Sequence, residues 1–151
     1  MKYCNVVWGQ CNESLKDRLQ VLQNRAVRAI AGQKFEHADH AKLLRDYDLL
    51  SVRNLIKLDM GVCMYKIQND LAPEEFKNFF QPIGDVHGYN TRSVVNDDLH
   101  IPRLNIKQGQ GAISYSGVKV WNDIPPEIRN AESINTFKVN FKKYIMRMQP
   151  D

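Results

Sequence analysis

The sequence predicts a mostly α-helical domain with a loop-rich insert at about 84–117 that has room for a short β-hairpin. Three observations predict it. Apolar residues in the first half recur at three- and four-residue steps, the spacing of one helix face. Capping residues stand where those runs begin, at Asn12 or Ser14, at Ser51 and at Ser133. Between Gly84 and Gly117 that periodicity breaks into glycines, asparagines and short β-branched pieces.

The first long helix is expected from Asn12 or Ser14 to about Ile30, with Gly32 as its stop signal. Leu15, Leu19, Leu22, Ala26, Ala29 and Ile30 align on one of its faces. A short helix over 39–47 presents Leu43 and Leu44. Ser51 then caps a helix reaching about Gln68, whose Val52, Leu55, Ile56, Val62, Cys63 and Ile67 cover most of its circumference. It is expected to be the central, best-buried helix. Asp59 projects on its apolar side, so an ion pair with an arginine of the first helix or with Lys66 is expected there.

Pro73 with Glu74 and Glu75 opens another short helix, because proline suits a first turn and acids suit the positive end of the helix dipole. In the insert, Val94-Val95, Leu99–Ile101 and Leu104–Ile106 are the candidate strands. Helical signals resume at Tyr115 to Trp121, after Pro125-Pro126 and after Ser133, where Phe137, Phe141, Tyr144, Ile145 and Met148 share a face. The division expected is 1–83 and 84–151, packed together as one domain.

Composition bounds the function. With 151 residues the chain suits one ordinary domain. A net charge of +4 leans towards polyanions, well short of a DNA-packaging protein. Three cysteines, an odd and sparse set, point to a reducing intracellular compartment. No apolar stretch suits a membrane span or signal peptide, so a soluble, intracellular protein without a membrane partner is expected.

The residues that could carry chemistry do not assemble into a known pattern. Cys4 and Cys11 are spaced C-x6-C and His37 and His40 H-x2-H, which miss the usual zinc spacings. Asp97-Asp98 is the one adjacent acidic pair that a polymerase reading could use, and it lies in a polar turn, a poor start for two-metal catalysis. Gly109-x-Gly111 lacks the third glycine of a phosphate loop, and no serine or cysteine has a nucleophile signature. No enzyme activity, cofactor, metal or small-molecule substrate is expected.

Basic residues are the candidate binding groups. Arg18, Arg25 and Arg28 fall on one flank of the first helix's apolar stripe, where they could track a phosphate backbone or form a solvated face. The last helix carries Lys138, Lys142, Lys143 and Arg147 around its polar side, as a polyanion or partner contact, or as plain complement to the helix dipole. His87, Tyr89, Asn90 and Arg92 combine a ring, an amide and a guanidinium in one glycine-bearing loop, the mixture that single-stranded nucleic acid recognition uses. The alternative is a structural turn in which Arg92 pairs with an acid such as Asp85.

Taken in order, several landmarks resemble the C-terminal region of reverse transcriptases from non-LTR (LINE-type, jockey-like) retrotransposons. They are Tyr3-Cys4 with Trp8-Gly9, Leu19-Gln20, Leu22 to Ala26 with Arg28 to Ile30, and Leu49 with Val52 leading the central helix. His87 to Arg92, Trp121 to Pro125 with Ile128, and Phe137-Lys138 with Lys142 complete the series, which spans essentially the whole chain. The resemblance implies thumb-like helices followed by a tail, lying downstream of a polymerase domain that this chain lacks. It implies a non-catalytic module that grips RNA or a template–primer duplex, with Arg18, Arg25 and Arg28 as the gripping residues. It implies too that Met1 is an internal methionine of a longer frame, so that the chain is a truncated copy. The other reading is a helical structural or protein-interaction domain that docked on the missing polymerase.

Overall fold

A computed structural model of the protein describes residues 4–32, 39–86, 91–106, 109 and 111–148. After a single turn, α1 (Asn5–Trp8), the side chain of Asn12 accepts a hydrogen bond from the Ser14 N–H at 3.2 Å and starts α2 (Glu13–Ile30). Gly32, at φ +64°, ends it in the left-handed conformation that costs a glycine least. Asp39 caps α3 (His40–Asp46), whose Leu43 and Leu44 meet Val27 of α2 in a small apolar cluster.

Ser51 caps α4 (Val52–Gln68), its hydroxyl oxygen accepting the Asn54 N–H at 3.3 Å. This helix is buried nearly all round, from Val52 through Ile56, Met60 and Met64 to Ile67. It is the axis on which the other elements pack, as its all-round apolar pattern predicts.

The short helix expected after Pro73 forms as a 3-10 helix (Glu74–Phe79). Single turns follow at α5 (Ile83–Val86) and α6 (Arg92–Val95). No hairpin forms among the described residues of the insert: Val94-Val95 is helical, and the one strand-like contact is an isolated antiparallel bridge between Pro82 and Leu99. Leu99 needs no second strand. The Asn122 side-chain amide accepts its N–H at 2.9 Å and donates to its carbonyl at 2.8 Å, as a neighbouring strand would.

A π-turn (Ile113–Gly117) runs into α7 (Val118–Asn122), followed by α8 (Pro126–Arg129), which starts on its proline. A Cβ at Gly117 would stand 2.8 Å from the Met64 sulfur and 2.9 Å from the Ile113 side chain, so glycine lets this turn press onto α4 without displacing either. Ser133 accepts the Thr136 N–H at 3.1 Å and leads into α9 (Ile134–Met148). Phe137, Phe141 and Ile145 of α9 are buried against α4, with Tyr144 half-buried; Met148, expected on the same face, is exposed.

The main core is aromatic. The Phe137 ring lies 4.5 Å from Tyr65, 5.5 Å from Phe141 and 6.2 Å from Trp121, centroid to centroid. Each such pair contributes about 0.5–1.5 kcal/mol beyond the burial of its area. Leu58, Val62 and Tyr65 from one side of position 84 share this core with Trp121, Ile124 and Phe141 from the other. The protein is mostly α. Among the described residues, no helix is long and apolar enough to cross a membrane.

Candidate docking face and basic residues

The face that α2 turns inward is polar. Its Gln20 side-chain oxygen accepts the Val52 N–H at 2.8 Å, one of the donors that the start of α4 leaves without a partner inside the helix. The Gln20 amide nitrogen donates to Gln23 at 3.0 Å and Asn24 at 2.8 Å, and the Gln23 amide donates to the Leu50 carbonyl at 2.9 Å. Arg53 at the start of α4 reaches Glu13 at 3.1 Å and Asp17 at 2.6 Å, while Lys16 bonds Glu13 at 2.7 Å. Val27 is the buried apolar residue of α2. Among the described residues the helix is held by amides, ion pairs and the contact of Val27 with Leu43 and Leu44 of α3.

The apolar stripe therefore looks outward. By the helical period it lies about 120° around α2 from the Gln20–Val27 side. Leu15 is 44%, Leu22 55% and Ile30 70% exposed, and Ala26 and Ala29 are exposed beside them. Leu19 is half-buried. Where the stripe meets α1, Trp8, Cys11, Leu15, Leu19 and Leu22 line an open groove of about 390 Å³, with Arg18 at its edge.

The predicted basic residues divide sharply. Arg18 and Arg25 are exposed, and neither forms an ion pair among the described residues. Arg28 is half-buried and already engaged in an interaction. Lys142 is not free for phosphate: it bonds the Asp48 carbonyl at 2.9 Å and pairs with the Asp48 carboxylate, which ties α9 to the α3–α4 turn. Lys138, Lys143 and Arg147 are exposed and unpaired among the described residues, and Arg92 is exposed at the start of α6 without an ion pair to Asp85. His87, Tyr89 and Asn90, like His37, lie outside the described residues.

Sequence reasoning missed a cleft of about 450 Å³ whose lining includes Lys16, Arg53, Lys57, Lys119 and Tyr115. Its charges nearly cancel. Glu13 and Asp17 hold Lys16 and Arg53, and Asp123 lies 3.7 Å from Lys57. No local signal could have revealed it, because its cations come from three separate helices.

Of the acidic candidates, Asp98 and Asp59 are committed to structure, and Asp97 is exposed. Asp98 pairs with Arg129 at 3.0 Å, their side chains 14% and 5% exposed, and the Arg129 guanidinium lies 5.8 Å from the centre of a Trp121 ring. Asp59 pairs with no arginine of α2 and not with Lys66; its carboxylate accepts the amide of buried Asn5 at 2.5 Å. An amide serves here because α1, not α2, closes over that part of α4. Among the described residues, no group of three or more histidine, cysteine or acidic side chains converges as a metal would need. Compared with family models, curated proteins and solved structures, the chain matches none.

Proposed function

We propose that this chain is a non-catalytic helical docking module that binds another protein through the outward face of α2. The observation that carries this reading is the inversion of that helix: glutamines face the body and leucines face solvent. Exposed leucines gathered beside an open apolar groove are what a partner covers. The resemblance to reverse-transcriptase tails makes the upstream polymerase domain the first partner to consider.

A second reading, a nucleic-acid-binding tail, draws on the cations without acidic partners: Arg18 and Arg25 on α2, and Lys138, Lys143 and Arg147 on α9. It ranks second. Phosphates would satisfy the arginines and leave the leucine stripe beside them in water.

The test is a double substitution, Leu15→Glu with Leu22→Glu. Outward-facing positions predict a change in unfolding free energy within about 0.5 kcal/mol, together with loss of binding to an apolar fluorescent dye. A destabilisation of about 2 kcal/mol or more would mean that the stripe is core, and the docking reading would fall.

A further inference from the structure

The stripe on α2 has a form that selects its occupant. Leu15, Leu19, Leu22, Ala26 and Ala29 follow steps of four, three, four and three residues over two heptads, the spacing of a coiled-coil seam, with Ile30 beside its end. Its leucine end opens into the groove beside Trp8, with room for a large apolar side chain. At its other end two alanines let a second backbone approach closely.

The flank supplies the sign of the charge. Arg18 and Arg25 stand one heptad apart at the seam's edge, exposed and without ion pairs among the described residues. These are the positions from which coiled-coil helices choose their partners by charge. Between and beyond them the flank offers Val21 and Arg28, and no acid.

A second copy of the chain fits poorly. Antiparallel pairing would set Arg18 of one copy against Arg25 of the other, and parallel pairing would set them beside Gln23 and Ile30. Neither arrangement supplies an anion.

We infer that the occupant of this face is an amphipathic helix lying along α2, with an apolar seam and carboxylates opposite Arg18 and Arg25. The inference rests on the docking reading and specifies the chemistry of the partner. Its apolar residues anchor on the leucines and the groove, while the acids set direction and exclude basic competitors.

Two labelled helical peptides of about four heptads test it. Both carry leucine along the seam; one has glutamate and the other lysine on its flanks. The glutamate peptide is expected to bind the full chain about five- to tenfold more tightly in low salt. The gap should narrow as salt rises, and reverse in the charge-swapped variant Arg18→Glu/Arg25→Glu. Circular dichroism on that variant confirms that it remains helical. Equal affinity for both peptides, unmoved by the swap, overturns the acidic partner and leaves docking intact. No binding of either peptide to the folded chain at micromolar concentration removes the docking reading itself. If a hybrid duplex displaces the glutamate peptide, and the swap abolishes duplex binding without touching peptide binding, the arginines belong to a nucleic-acid interface and the acidic partner falls.

Discussion

Gly61 stands in the middle of α4, where glycine costs a helix roughly 0.5–1 kcal/mol relative to alanine. The reason for its place is α9. A Cβ at this position would overlap the Phe141 ring and come within 3.2 Å of the Ile124 side chain, both fully buried. Close approach of two helix backbones outweighs propensity. Gly61→Ala is therefore expected to destabilise the fold by about 1–3 kcal/mol in urea unfolding, the usual penalty of overpacking, despite alanine's better helix propensity. Adding Phe141→Leu should recover part of that loss, a coupling between contacting residues that two separate defects would not show. Gln20 illustrates the opposite case, a polar residue kept inward because α4 needs an acceptor for the Val52 N–H. Gln20→Leu offers more apolar area yet strands that donor, along with the side-chain oxygens of Gln23 and Asn24. It is expected to cost about 1–2 kcal/mol, and an unchanged midpoint would show that water serves Val52 equally well.

The ion pairs around Glu13 at the start of α2 also titrate. A hydrogen bond from Lys16 lowers the Glu13 carboxyl from its ordinary value of 4.5, Arg53 lowers it further, and partial burial works against both. A folded value below the unfolded one means that the stabilisation is fully present above about 4.5 and is lost as pH falls through the lower folded value. Because Glu13 is largely exposed, the gain is at most about 0.5–1 kcal/mol. In Glu13→Gln, stability between pH 6 and pH 3 should fall correspondingly less than in the parent. Identical pH profiles would mean the pair contributes nothing. Element boundaries here were legible because caps and stops are local: Asn12, Ser51 and Ser133 begin helices where expected, and Gly32 ends α2. The orientation of α2 was not. Periodicity reveals a stripe but not what lies opposite, and the contact that decides it joins Gln20 to a residue 32 positions away. The insert misled for a related reason. Val94-Val95 has strand-type side chains, but its N–H groups bond Thr91 at 3.0 and 3.1 Å, and Asn122 occupies the edge that a hairpin partner would have used.

Across the chain, the modest net charge of +4 is unevenly committed, and that governs how it should meet a polyanion. Among the described residues Lys16, Arg53, Lys77, Arg129 and Lys142 are held by acids, and the cations open to phosphate are spread over several elements, with Arg18 and Arg25 on α2 and Lys138, Lys143 and Arg147 on α9. A thumb-like grip needs several phosphates neutralised together, and each adds roughly 0.9 to the slope of log affinity against log salt on duplex DNA. With Lys142 tied to Asp48 and Arg28 engaged, Arg18 and Arg25 remain as the predicted pair on α2, which sets a slope of about −2 from that face. The expected result is weak binding to an RNA–DNA hybrid near 20 mM salt, lost by about 150 mM and indifferent to sequence. Fluorescence anisotropy across that range measures it. Arg18→Ala/Arg25→Ala should flatten the slope, whereas Lys142→Ala should leave it unchanged and loosen α9 from the α3–α4 turn instead. Binding that survives at 150 mM with a slope of −4 or steeper would require cations beyond these to converge on one backbone. The leucine stripe of α2 would then flank a nucleic-acid groove, and docking of a protein there would lose its support.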